Sequence, residues 1–115
     1  MNDYDKTLKW INKHRKISGL TPLSEIPCGE KGSARNCAVA KGLGEGSLVT
    51  PNWASIRDDT LGANHRPYRA ERFPRYVKRF IQAFDSGKYP DLDLELWPSY
   101  VVWSATKISK GELVK

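Results

Sequence analysis

At 115 residues and 13.0 kDa, with 39% hydrophobic and 28% charged residues, the chain has the size and make-up of one globular domain, which excludes a multidomain enzyme and a wholly disordered or membrane-embedded chain. Nineteen Lys plus Arg against thirteen Asp plus Glu give a net charge of +6 and a pI near 9.4, a balance that favours polyanionic partners. No apolar run approaches the roughly 18 residues needed to span a bilayer, and the acidic start Met1-Asn2-Asp3-Tyr4-Asp5 is unlike a secretory signal, so no membrane and a cytoplasmic address are expected.

The first predicted element is a helix capped by Asn2 or Asp3, running to about Ser18 and stopped by Gly19. Tyr4, Leu8 and Ile11 share one face, which marks it as the core side. Trp10 and Ile17 lie about 100° away from that face, beside Lys6 and Lys13. Five bases and no acid fall between Lys6 and Lys16. A tryptophan among lysines can anchor an interface or stack on a base, but large aromatics contribute most when covered, so core packing of Trp10 is the favoured reading and an interaction anchor the alternative.

Leu20 to Pro27 carries two prolines and reads as a connector anchored by Leu23 and Ile26. After the loop Gly29-Glu30-Lys31-Gly32, Ser33 is expected to cap a second, short helix through about Leu43, ended by the glycines at 42, 44 and 46. Leu48-Val49-Thr50 and Trp53 to Ile56 have β-favouring residues interrupted by Pro51-Asn52, and are predicted as two short strands or one bulged pair. Asp58 to Arg69 is rich in turn residues without periodicity and reads as a long loop.

Pro74 suits the first turn of a third helix that ends near Ser86, with Gly87 beyond it. Phe73, Val77, Phe80, Ile81 and Phe84 form an apolar arc opposite Arg75, Lys78, Arg79 and Gln82. Burial of such side chains stabilises by about 1.5–3 kcal/mol each, which makes this helix the expected centre of the core. Tyr89 to Leu92 turns the chain, and Ser99 to Ser104 is rich enough in β-branched and aromatic residues for a further strand. The expected fold is α+β, with three helices packed on a small antiparallel sheet of two or three short strands. Residues 1–106 form the expected compact domain, and 107–115 a polar tail that frays.

Two stretches carry a resemblance. Leu23-x-x-Ile26-Pro27-x-Gly29-x-x-Gly32-Ser33-x-x-x-Cys37-x-x-Ala40-x-x-Leu43 is followed by Val77-x-x-Phe80-x-x-x-Phe84-Asp85-x-Gly87-x-Tyr89-Pro90-x-Leu92. Together they resemble small uncharacterised proteins of actinobacteria and their phages, over roughly residues 8 to 92, with departures at Cys28 and at Gly42-Leu43-Gly44. The resemblance implies a phage-related accessory protein and carries over no activity and no catalytic residue.

Among constellations that bear chemistry, the foremost is the basic series Arg66, Arg69, Arg72, Arg75 and Lys78, spaced three apart and joined by Arg79, with Tyr68 and Tyr76 interleaved. Several cations on one surface bind phosphates, and the tyrosines can stack on bases. Tyr68 joins the candidate set, with Lys6, Lys9 and Lys13 of the first helix in support. The plain alternative is that Arg75, Lys78 and Arg79 are the solvated back of an amphipathic helix.

Other constellations are weaker. Gly29 to Ser33 precedes a helix start but lacks the Walker pattern. Cys28, Cys37, His14 and His65 lack zinc-finger spacing, so no metal is expected. Asp58, Asp59, Asn64 and His65 offer a thin case for a nuclease, and no cofactor is implied. The two cysteines, too sparse for a stapled scaffold, are expected as thiols.

The sequence therefore supports a non-enzymatic protein that binds nucleic acid through the Arg66–Arg79 region. The alternative is a protein-interaction module acting on a host or defence protein, with Trp10, Trp97 or Trp103 as anchors and the acidic segment Asp85 to Glu95 facing a basic partner.

Overall fold

The computed structural model describes residues 2–62, 64 and 66–93. The first helix, α1, spans Asp3–Ile17. Asn2 Oδ1 accepts the Asp5 N–H at 2.8 Å, Asp3 and Asp5 sit in the first turn, and His14, Arg15 and Lys16 sit in the last, so both ends complement the helix dipole. At the C-terminus the Gly19 N–H donates to the Lys16 carbonyl and the Leu20 N–H to the Arg15 carbonyl. That Schellman pattern needs the left-handed φ of +79° that Gly19 supplies. The helix α3, Arg75–Asp85, ends the same way on Gly87, whose N–H donates to Phe84 while that of Lys88 reaches Ala83.

The second helix, α2, is shorter than expected, spanning only Ala38–Leu43. The physical reason is a spent carbonyl. The Ala34 oxygen, which a longer helix would pair with the N–H of residue 38, instead accepts from Val49 at 2.7 Å, and the Asn36 oxygen accepts from Glu30 at 2.8 Å. Ser33 Oγ therefore caps only a turn, accepting the Asn36 N–H, and Cys37 becomes the N-cap with its sulfur 3.4 Å from the Ala40 nitrogen.

The sheet contains β1 (Leu48–Val49), β2 (Trp53–Arg57) and β3 (Tyr68–Arg72), antiparallel throughout and in that spatial order. With the three helices it forms the expected α+β architecture. The strand β3 falls partly in the segment expected as loop. Its register with β2 pairs Trp53 with Arg72, Ala54 with Glu71, Ser55 with Ala70, Ile56 with Arg69 and Arg57 with Tyr68. Paired residues share a face. Ala54 and Ile56 are buried, so the inner face also carries Arg69 and Glu71, while Trp53, Ser55, Arg57, Tyr68, Ala70 and Arg72 belong to the outer one. Among the described residues, the inner face meets α1, whose His14 and Ser18 bond to Arg69. A strand whose inward residues are charged escapes a search for apolar alternation.

The core joins Trp10 and Ile11 of α1, Val39 and Leu43 of α2, Ile56 of β2 and Val77, Phe80 and Phe84 of α3. The arc predicted on α3 is buried as expected. On α1 the buried face is rotated from the predicted one: Thr7, Trp10, Ile11 and His14 are buried, and Tyr4 and Leu8 only partly so. Trp10 is 6% exposed and meets Phe73 edge to face at 5.5 Å, which corrects the interaction-anchor reading and leaves the core reading. The strand expected over Ser99 to Ser104, the anchors Trp97 and Trp103, Glu95, His65 and the tail 107–115 lie outside the described residues.

At the start of α2, Gly29 joins that helix to the 92–93 segment. Its N–H donates to the Leu92 carbonyl at 2.8 Å, and it bridges Asp93 in parallel fashion. A Cβ here would lie 2.3 Å from the Ala38 nitrogen and 2.5 Å from the Cys37 carbonyl carbon, so only hydrogen fits.

Candidate nucleic-acid interface

The basic series predicted from spacing is not one surface, because Arg69 and Arg72, three apart on β3, fall on opposite faces of the strand. Arg69 points inward. Its Nε donates to Asp58 Oδ2 at 2.9 Å, one terminal nitrogen lies 2.9 Å from His14 Nδ1 and 3.4 Å from Glu71, and the other donates to the His14 carbonyl and Ser18 Oγ, both at 3.1 Å. Its side chain is 16% exposed. The expectation of a solvent-facing phosphate ligand at Arg69 is corrected: this guanidinium ties β3 to the C-terminal turn of α1.

The same network takes up two residues of the weaker candidate sets, Asp58 and His14. Asp58 is buried and accepts from the Thr60 hydroxyl and N–H as well as from Arg69, and these donors hold its carboxyl below the ordinary carboxylate range. It is committed to structure rather than poised for a metal. Burial, and then the neighbouring Arg69 charge, push the His14 imidazole below its usual range, consistent with a neutral ring accepting through Nδ1. Among the described residues no three His, Cys, Asp or Glu side chains cluster in a way that could hold a metal. Cys28 and Cys37 engage different groups, the first donating to the Asp91 carbonyl at 3.4 Å.

Arg79 is half exposed yet bidentate to Asp3, at 3.0 and 2.9 Å, and the pairing lowers the Asp3 carboxyl while raising Arg79. Its charge is thus shared with an acid from α1. Lys6 sits 6.0 Å from the Tyr76 ring centroid. Lys9 and Lys13 are exposed on α1, the helix that covers the inner side of the sheet, so the structure does not bring them to the outer face. Arg66, Arg72 and Arg75 are exposed, and Lys78 is half-buried.

What the fold does bring together is on the outer face. Trp53 is 41% exposed and stands opposite Arg72; Tyr68 is 40% exposed and stands opposite Arg57, whose guanidinium carbon lies 5.5 Å from the tyrosine centroid. Arg57 also pairs with Asp59 at 2.9 Å, which together with Tyr68 raises its already high pKa. Among the described residues, the ladder places Ser55 and Ala70 between the two aromatic–arginine pairs on this face. The pairs are four residues apart along β2, or about 13 Å at strand rise. A concavity of about 430 Å³ at the Trp53 end is lined by Trp53, Ala70 and Arg72 of the outer face, by Glu71 of the inner one and by Lys78, so it runs round the end of β3 to α3.

Trp53 and Arg57 were absent from the predicted set. The signal was present in Trp53-Ala54-Ser55-Ile56-Arg57, where two small or apolar residues alternate with a tryptophan on what must be the wet side. No family model, curated protein or solved structure matches the chain. No helix among the described residues is long and apolar enough to cross a membrane.

Proposed function

We propose that this chain is a nucleic-acid-binding module that takes a single strand across the outer face of its sheet. The observation that carries the reading is the cross-strand arrangement of two exposed aromatics, each faced by an arginine, over a floor of Ser55 and Ala70. Bases stack on aromatic faces whatever their sequence, and arginines beside them meet the phosphates or extend the stack. A duplex would hide the base faces this surface is shaped to meet. Arg72 and Lys78 line the concavity at the Trp53 end, with Arg66 and Arg75 exposed on the chain segments that enter and leave β3. The phage-related accessory setting implied by the sequence resemblance suits such a module.

The test is a fluorescence anisotropy titration of a labelled single strand and its duplex over a range of salt. Single-strand binding should be the tighter, and Trp53→Ala should weaken it by about 1–3 kcal/mol, the usual worth of one base–aromatic stack. With four phosphates neutralised, log K should fall against log salt with a slope of about −3. Equal affinity of Trp53→Ala and the parent chain, at unchanged fold, overturns the proposal.

A further inference from the structure

A second concavity adjoins the sheet surface and shares Lys78 with it. It is a half-open cleft of about 530 Å³ between α3, β1 and the loop at Gly32–Ala34. Lys78, Gln82 and Asp85 line it from α3 at spacings of four and three, and so form one stripe. Lys78 and Asp85 stand two turns apart, roughly 10 Å along the axis. Val49 and Ile81 supply apolar lining.

The polar end of this cleft is open to solvent, with Gln82 and Asp85 both exposed. Asp85 Oδ1 accepts the Gly32 N–H at 2.9 Å, which fixes the carboxylate against the loop, while among the described residues no protein donor meets Oδ2. A fixed carboxylate is an acceptor only, and it pairs best with two adjacent donors. Of the nucleobases, guanine alone offers that on its Watson–Crick edge, through N1–H and the N2 amino group. Adenine and cytosine set a ring acceptor beside their amino group, and uracil or thymine flanks its single N–H with two carbonyls; each turns a lone pair toward the carboxylate. The Gln82 amide can donate to guanine O6 from the same stripe.

From these observations we infer that the cleft is a guanine subsite of the strand-binding surface. Asp85 reads the base edge, Val49 and Ile81 cover the ring, and Lys78 at the shared mouth takes the phosphate that links this nucleotide to the strand on the sheet. The inference rests on the proposed single-strand reading and adds a base preference to it. It involves binding alone.

The experiment compares a labelled oligothymidylate with the same strand carrying one central guanine or one central adenine, by anisotropy. The guanine strand should bind roughly tenfold tighter, the adenine strand no tighter. Asp85→Asn, whose Oδ1 can still accept the Gly32 N–H, should erase the guanine preference while leaving oligothymidylate binding at least as tight. Equal affinities for the three strands, or a preference that survives Asp85→Asn, overturn the subsite and leave the sheet reading standing. Should no strand bind, the sheet reading fails, and the subsite is judged by titrating GMP and AMP into the labelled protein and following amide NMR shifts. Movement of the Gly32, Ser33 and Ser86 signals with GMP but not AMP supports it; no movement overturns it.

Discussion

Replacing Arg69 by alanine separates a structural arginine from a binding one. The substitution removes five polar contacts at once, and its main consequence is electrostatic: Asp58, 1% exposed, loses the cation 2.9 Å away. Breaking a buried pair by deleting one partner typically costs about 3–5 kcal/mol, since the remaining charge is left without compensation. Asp58 keeps its two bonds from Thr60, so the lower end, about 3 kcal/mol, is expected. His14 Nδ1 and Ser18 Oγ lose a donor as well, which opposes any further reduction. For a domain whose total stability is about 5–15 kcal/mol, such a loss is large. Urea unfolding followed by tryptophan fluorescence should show the midpoint falling by more than about 1 M, given slopes near 1–3 kcal/mol/M. The melting temperature should drop by more than about 10 °C. Arg72→Ala, on the outer face, should stay within about 0.5 kcal/mol of the parent. An Arg69→Ala chain as stable as the Arg72→Ala chain would refute a structural role for the inward guanidinium of β3.

His14 has a folded pKa below its unfolded value, so as pH falls below about 6.5 the unfolded state takes up the proton first and stability declines until the folded pKa is reached; His14→Gln should flatten that slope in urea titrations between neutral and mildly acidic pH. Asp58 is also lowered, and its contribution, present above the ordinary carboxylate range, should disappear only in stronger acid, as a second step that Asp58→Asn removes. Gly29→Ala forces a methyl against the α2 backbone and should destabilise by about 1–3 kcal/mol or more, measured by urea unfolding, although no charge or hydrogen bond changes. In single-strand binding, Arg72→Ala should reduce the salt slope by about 0.7. Arg79→Ala should change it less, because Asp3 already holds that guanidinium; identical slopes for the two variants would count against the outer face as the interface.

Much of the scaffold was legible along the chain. The ends of α1 and α3 were written in Asn2, Gly19, Pro74 and Gly87, and the buried arc of α3 in its phenylalanine spacing, because caps and helical periodicity act over a few neighbouring residues. What the chain order could not decide was the use of charge. Spacing of three grouped Arg69 with Arg72, but β3 is a strand through its ladder with β2, and the partners that hold Arg69 inward are Asp58, His14 and Ser18, up to 55 residues away in sequence. Trp10 and Trp53 look alike in sequence, and only tertiary packing buries one against Phe73 and leaves the other on the wet face of the sheet. Local structure follows from short-range sterics and periodicity; which side chains end up buried, neutralised or free depends on which distant segments meet, and that is set only when the chain closes on itself.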